Sequence, residues 1–132
     1  EMITSYIQVV PNPRPEDLGL PQQLALFERE QARTGRTPVV IDSKDVLTDP
    51  RGVLSTVCER LGLPFDEAML RWPPGPRDTD GAWAPAWYDS VWKSTGFEPY
   101  APKHRPVPEH LRPVERACRD IYDRLHAHRL RV

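Results

Sequence analysis

VVIDSKDVLTDPRGVL, residues 39–54, is the stretch that decides the predicted fold. Its three contiguous β-branched residues, with the preceding Thr-Pro, predict a strand over residues 37–42. Because the apolar residues do not alternate with polar ones, the pattern favours a strand covered on both faces in a parallel sheet. The polar segment 43–48 is then predicted to be a turn. Asp49 is predicted to cap the next helix, with Pro50 as its first residue.

The helix that starts at Pro50 carries a predicted buried stripe and ends at Gly62. The stripe consists of Val53, Leu54, Val57, Cys58 and Leu61. Across the chain we expect almost complete burial of one set of residues, namely Val40, Leu54, Val57, Leu61, Cys118, Ile121 and Leu125.

Further helices are predicted from apolar spacing and from the positions of proline and glycine. They cover residues 2–10, residues 20–34 before Gly35, a short segment capped by Asp66, residues 85–96, and residues 110–128 at the C-terminal end. Residues 73–84 are predicted to form a loop.

A strand buried on both faces needs neighbours, because its backbone donors and acceptors must find partners on both edges. Residues 7–10 are the only other strand candidate, and their pattern is weak. We therefore expect the partner strands to lie N-terminal to Glu1, so that the chain is the latter part of an α/β domain. A compact all-helical domain with one short edge strand is the alternative.

Net charge, cysteine positions and the length of apolar runs together exclude several classes of function. The net charge of −1 gives no overall field that would favour nucleic acid or a membrane surface. Cys58 and Cys118 both fall on predicted apolar helix faces, so we expect free thiols and a reducing compartment, the cytoplasm. Two distant cysteines and no paired helical histidines predict no metal site. No apolar run approaches the ~20 residues that a membrane span needs.

The order of strand, acidic turn, Asp-Pro helix and the exit RLGLPFDEAML resembles the sulfotransferase family across residues 39–70. The resemblance implies a mostly helical C-terminal portion of a P-loop-type three-layer parallel-sheet domain. Residues 1–132 would then form the C-terminal half of one sulfotransferase-like domain. It also implies a parent enzyme that transfers a sulfuryl group from 3′-phosphoadenosine-5′-phosphosulfate (PAPS) to a hydroxyl or amine of a small-molecule acceptor.

The same resemblance implies cofactor-binding residues at two places. EMITSYI is similar to the family's phosphate-binding helix, which makes Ser5 the serine that holds the 3′-phosphate, with its partner Arg before Glu1. VWKSTGF is similar to the family's adenine-contacting segment and implies Ser94, Thr95 and Phe97 as residues that border the ring. An ordinary helix hydroxyl is the alternative for Ser5, and a core position is the alternative for Phe97.

Seven of the eleven aromatic residues fall between residues 72 and 100. A cluster of this kind among proline and glycine is typical of an acceptor pocket or lid. We therefore predict a lid segment over residues 73–108, with substrate contacts from Trp83, Trp87 and Trp92. Ordinary packing is the alternative.

The family's late Arg-Lys-Gly and Gly-x-Trp segment, its Gly-rich phosphate loop and its catalytic base have no match in this sequence. No Gly-x-x-x-x-Gly-Lys string occurs, and the catalytic base is unknown. Both are expected before Glu1, so we predict that this segment alone is inactive and needs the missing N-terminal half as a partner. The rival hypothesis is a non-catalytic helical protein-interaction module, and homo-oligomerisation is left open.

Overall fold

The computed structural model describes residues 1–132, and helices are its only regular secondary structure. The α-helices are α1 (Met2–Tyr6), α2 (Leu20–Thr34), α3 (Ser43–Thr48), α4 (Pro50–Leu61), α5 (Ala84–Trp87), α6 (Asp89–Lys93) and α7 (Arg112–His126). Short 3-10 helices cover Pro15–Leu18, Glu67–Leu70 and Glu109–Leu111. The mostly helical character predicted from the sequence is therefore confirmed.

The chain divides into two compact units. The first unit contains Glu1–Asp42 and Ala101–Arg131, and the second contains Ser43–Tyr100 together with Val132. The first unit is thus built from two stretches that are far apart in the sequence.

The core of the first unit lies between its N-terminal segments and α7. Its buried members are Ile3, Leu18, Leu20, Leu111 and Cys118. Helix α2 packs along α7, and an ion pair between Glu28 and Arg124 joins the two helices at the surface. Since Leu125 is also buried, the apolar face predicted for α7 is the face that packs.

The strand predicted over residues 37–42 is wrong as a regular element. Val40 forms only an isolated parallel bridge with Arg129, in which the N–H of Leu130 donates to the carbonyl oxygen of Val40 at 2.8 Å. Val39 and Ile41 are 40% and 50% exposed, so the apolar run is not covered on both faces. The physical reason is that a strand is stabilised by neighbours, and only one neighbour contacts one edge here.

Helix α4 of the second unit has the predicted ends. The Asp49 carboxylate accepts a hydrogen bond from the N–H of Gly52 at 2.9 Å, and Gly62 closes the helix with a φ of 69°. Val53 and Cys58 are buried, as predicted. Leu61, however, is 57% exposed, and its predicted burial is wrong. It lies in the last turn of the helix, next to the closing Gly62, whereas the buried Val53 and Cys58 lie earlier in the helix.

Other predicted boundaries shift by one or two turns. Helix α1 ends at Tyr6 instead of continuing to residue 10, and the predicted turn 43–48 is the helix α3. Residues 85–96 form α5 and α6 with a break at Tyr88, whereas the predicted helix 110–128 contains all of α7.

Of the other residues expected in the core, Cys118 and Leu125 are buried. Val40, Leu54, Val57 and Ile121 are only half-buried.

Candidate functional site

A hollow of about 630 Å³ opens on the surface of the second unit. It is lined by Leu70, Arg71, Trp72, Pro73, Thr95, Gly96 and Phe97. Its volume lies within the range of about 300–1,000 Å³ that is usual for small-molecule sites. Two short segments thus form the hollow: the exit of the 3-10 helix at Glu67–Leu70 and the segment that follows α6.

Backbone contacts hold these two segments together. Arg71 and Gly96 form an antiparallel bridge, and the N–H of Trp72 donates to the carbonyl oxygen of Thr95 at 3.1 Å. A Cβ at position 96 would lie 3.0 Å from the carbonyl oxygen of Leu70. Glycine at this position therefore allows the close approach of the segments that shapes the hollow.

Trp72 is the most firmly held ring of the hollow. Its indole Nε1–H donates to the hydroxyl oxygen of Ser94 at 2.9 Å, and the Ser94 hydroxyl in turn donates to the carbonyl oxygen of Val91 at 2.7 Å. The Phe97 ring meets the Trp72 ring edge to face, at 86° and a centroid distance of 5.2 Å. Such an arrangement is favourable for aromatic pairs and fixes both rings.

The predicted adenine-contacting residues thus have different roles in the structure. Thr95 and Phe97 line the hollow, and Ser94 is not among its lining residues. The hydroxyl of Ser94 is already engaged by Trp72 and Val91, so in this structure it positions the indole. Sequence reasoning assigned no binding role to Trp72. Its place in the aromatic cluster was the available signal, but its pairing with a segment 22 residues away was not visible.

The three tryptophans predicted to contact substrate lie outside the hollow. Trp83 is 62% exposed and lies over Gly81, and Trp87 is 39% exposed. Trp92 is half-buried and donates its Nε1–H to the Asp80 carboxylate at 2.8 Å. The pKa of Asp80 is lowered because the backbone N–H of Arg77, and then the indole of Trp92, donate to its carboxylate. Trp92 therefore organises the loop, whereas Trp83 and Trp87 present indole surface.

Ser5 lies in the first unit, on the short helix α1. Its side chain is exposed, and its hydroxyl has no hydrogen-bond partner in the structure. The adjacent Thr4 is buried and its hydroxyl donates to the carbonyl oxygen of Glu1 at 2.8 Å. The Ser5 hydroxyl is consequently available to a ligand, while that of Thr4 is not.

The carboxylate of Asp42, at the end of the predicted strand, is hydrogen-bonded to a side chain of α7. The Tyr122 hydroxyl donates to the Asp42 carboxylate at 2.8 Å. Burial, and then this hydrogen bond, raise the pKa of Tyr122 to about 12. The Tyr122 ring also stacks on the imidazole of His126 at 5.0 Å. The contact fastens the segment after Val40 to α7.

A second, smaller depression of about 330 Å³ lies in the first unit. It is lined by Gln23, Leu26, Phe27, Glu30, Pro38, Val39, Val40, Ile41 and Leu125. Leu26 is 51% exposed and extends the apolar surface of Val39 and Ile41. We call this surface the 39–41 groove.

No three or more His, Cys, Asp or Glu residues lie close enough together to hold a metal ion. None of the helices has both the length and the apolar character required to cross a membrane.

Comparison with known proteins identifies the family. The sulfotransferase domain model matches residues 2–127, and the chain therefore belongs to the sulfotransferase-domain family. This confirms the resemblance found in the sequence. No solved structure matches the chain significantly.

Two relatives from Arabidopsis thaliana are named as aminotransferase-like. The chain is 40% identical over 90 residues to branched-chain-amino-acid aminotransferase-like protein 1, covering 68% of the chain. It is 38% identical over 81 residues to the corresponding protein 2, covering 61% of the chain. The chain spans only 16% and 14% of these relatives.

Proposed function

We propose that this chain is part of a sulfotransferase that moves a sulfuryl group from PAPS to a hydroxyl or amine of a small-molecule acceptor. The match of the sulfotransferase domain model to residues 2–127 is the observation that carries the proposal. In this proposal the parent domain has the P-loop-type parallel sheet, and the chain supplies its mostly helical C-terminal half.

The hollow beside Trp72 is the proposed adenine site. Its lining includes Thr95 and Phe97, the residues that the family resemblance assigns to the ring, and its volume of about 630 Å³ lies in the range usual for small-molecule sites. The edge-to-face Trp72–Phe97 pair offers apolar ring surface at a fixed position. Bases stack on such rings irrespective of sequence, with about 1–3 kcal/mol per base.

Ser5 is the proposed ligand of the 3′-phosphate. Its exposed hydroxyl without an internal partner supports this role, since a hydroxyl is a ready donor to a phosphate oxygen. The alternative, an ordinary surface hydroxyl, is distinguished by the binding experiment described for Ser5 in the Discussion.

PAPS supplies the activated sulfuryl group, and the protein's task is to position the donor and acceptor and to stabilise charge, as in phosphoryl transfer. The sequence contains no Gly-rich phosphate loop, and no residue is assigned as catalytic base. We therefore propose that residues 1–132 alone are inactive. The remainder of the domain is the proposed partner, and its strands would cover the open edge at Val39 and Ile41.

The acceptor side is proposed to involve Trp83 and Trp87. Their exposed indoles lie in the aromatic segment that the sequence identified as a lid, and exposed aromatic surface suits an apolar acceptor. Trp92 contributes by holding the loop through Asp80.

Two free, buried thiols, Cys58 and Cys118, support the proposed reducing compartment, the cytoplasm.

The experiment that tests this function is a sulfuryl-transfer assay on the complete polypeptide that contains this chain. We expect transfer from radiolabelled PAPS to a panel of phenols, alcohols and amines, and none from residues 1–132 alone. The 39–41 groove favours the rival function, a non-catalytic interaction module. The interaction-module function is supported if the complete polypeptide neither transfers sulfuryl groups nor binds the nucleotide, but binds an extended peptide at the 39–41 groove.

A further inference from the structure

Two sulfur atoms meet in the second unit, where the 3-10 helix Glu67–Leu70 contacts α4. The thiol of Cys58 donates to the thioether sulfur of Met69 at 3.9 Å. Cys58 is buried and is not part of a disulfide, whereas the Met69 side chain is 42% exposed. The thioether thus contacts a buried thiol while part of its side chain stays open to solvent.

This sulfur contact differs from the polar contact that also joins the 3-10 helix to α4. Arg51 forms an ion pair with Glu67, and both side chains are exposed. Because an exposed ion pair contributes little to stability, it holds the 3-10 helix only weakly. The contact of Met69 with Cys58, by contrast, reaches a buried residue of α4.

The 3-10 helix leads directly into the hollow. Leu70 is its last residue and is part of the lining, and the N–H of Met69 donates to the carbonyl oxygen of Asp66 at 3.0 Å. The next residue, Arg71, forms the backbone bridge with Gly96. A change at Met69 therefore acts on one of the two segments that form the hollow.

The thioether of Met69 has a chemistry that can break this contact. Hydrogen peroxide transfers one oxygen atom to the sulfur: the O–O bond breaks, an S–O bond forms, the sulfur is oxidised by two electrons and water leaves. The product, methionine sulfoxide, is polar and disrupts apolar packing, and methionine sulfoxide reductases reverse it. A thiol is only a weak donor, so the contact with Cys58 cannot replace the water that the new oxygen would lose. The flexible side chain can instead turn outward.

We propose that Met69 is a reversible oxidation site whose sulfoxide separates the 3-10 helix from Cys58 and loosens the segment that lines the hollow. The inference goes beyond the proposed function, because it adds a redox-controlled residue beside the site. It does not depend on which ligand the hollow binds.

The chain contains matched controls for the experiment. It has two methionines, Met2 and Met69, which are 45% and 42% exposed. It also has two buried, free cysteines, Cys58 and Cys118. Because the two methionines are similarly exposed, peroxide should oxidise both, but only Met69 should affect a cysteine.

The test treats the complete polypeptide with hydrogen peroxide and then with N-ethylmaleimide, and maps both modifications by peptide mass spectrometry. Alkylation of Cys58 should become about fivefold faster, because losing a contact of ordinary strength makes the local opening that exposes the thiol more frequent. Alkylation of Cys118 should stay slow. Amide hydrogen exchange should quicken over residues 66–72 and not over residues 2–7. Methionine sulfoxide reductase should restore the original rates.

Two variants identify the methionine that is responsible. Met69→Leu removes the oxidisable sulfur at nearly constant volume, so peroxide should leave the alkylation of Cys58 slow. Met2→Leu is the matched control and should keep the full response. If Met69→Leu fails to fold, reversal of the Cys58 response by the reductase in the unchanged protein and in Met2→Leu still decides.

Three results would overturn the proposal. The first is an alkylation rate of Cys58 that does not change when Met69 is oxidised, or that rises equally in Met69→Leu. The second is a Met69 that stays unoxidised while Met2 is oxidised. The third is a response that follows the addition of oxygen to Cys58 itself and that the reductase does not reverse. Sulfuryl transfer is measured separately, so none of these results decides the proposed function.

Discussion

Asp49 is the residue that determines where α4 begins. Its carboxylate accepts the N–H of Gly52 at 2.9 Å, and Pro50 follows as the first helical residue. Asp49→Ala should lower the free energy of unfolding by about 0.5–2 kcal/mol, because one helix N–H loses its partner. Asp49→Asn keeps an acceptor and should cost much less. Urea unfolding measures both, and equal losses for the two variants would show that capping is not the cause.

Leu61 and Val53 share one face of α4 but differ in burial. Val53 is 3% exposed and Leu61 is 57% exposed. Since apolar burial contributes about 0.8 kcal/mol per methylene, Val53→Ala should cost about 1.5 kcal/mol or more. Leu61→Ala should cost less than about 0.5 kcal/mol, although the sequence pattern alone predicted ~2–5. Denaturant unfolding of both variants in parallel checks the order, and a larger loss at Leu61 would contradict the structure.

At the scale of elements, the Tyr122–Asp42 hydrogen bond fastens α7 to the segment after Val40. The pKa of Tyr122 is raised to about 12 from an ordinary value near 10, which means that folding favours the protonated, neutral phenol. The stabilisation is fully present below pH ~10 and is lost as the pH rises towards ~12.

Tyr122→Phe isolates this contribution. At neutral pH the variant should be less stable by about 0.5–1.5 kcal/mol, the usual value of one hydrogen bond. The difference between the unchanged protein and the variant should shrink between pH ~10 and ~12, because only the unchanged protein loses stability when Tyr122 ionises. Urea unfolding across this range measures it, and a difference that stays constant with pH would argue against the raised pKa.

The elements that could be predicted from sequence are those with local signals. Helices α2 and α4 have proline at the start and glycine at the end, and α7 has a continuous apolar face. The strand at residues 37–42 could not be decided locally, because β-branched residues only favour extension and a sheet requires partners elsewhere in the chain. The segment 43–48 was misjudged because its polar residues suit a turn and a short helix equally.

The candidate site, like the fold, could be predicted from the sequence only in part. The family pattern indicated Ser94, Thr95 and Phe97 in one segment; Thr95 and Phe97 line the hollow, and Ser94 does not. Trp72 and Arg71 come from a segment more than 20 residues earlier, and only folding brings them beside Gly96. The family pattern therefore indicated residues in only one of the two segments that line the hollow, and the backbone pairing of Arg71 with Gly96 brings the other segment beside it.

At the scale of the whole molecule, residues 1–132 include the residues that we propose to bind a nucleotide, but they contain no Gly-x-x-x-x-Gly-Lys phosphate loop. Charge-assisted hydrogen bonds to phosphate contribute about 1.5–3 kcal/mol each. Without three or four of them the affinity falls by ~5–10 kcal/mol, which turns a micromolar ligand into one weaker than millimolar. We therefore expect no measurable binding of adenosine 3′,5′-bisphosphate by residues 1–132, and clear binding by the complete polypeptide. Calorimetry on both proteins checks this.

Ser5 provides the sharpest version of that experiment, because its exposed hydroxyl is proposed to contact only the 3′-phosphate. In the complete polypeptide, Ser5→Ala should weaken adenosine 3′,5′-bisphosphate by about three- to tenfold, because a solvent-exposed hydrogen bond contributes less than the buried, charge-assisted bonds of a phosphate loop. Adenosine 5′-phosphate lacks the 3′-phosphate and should bind almost unchanged. Ser5→Thr keeps the hydroxyl and serves as the matched control. Equal weakening of both nucleotides by Ser5→Ala would remove Ser5 from the site, because a lost contact to the 3′-phosphate cannot affect a ligand without one.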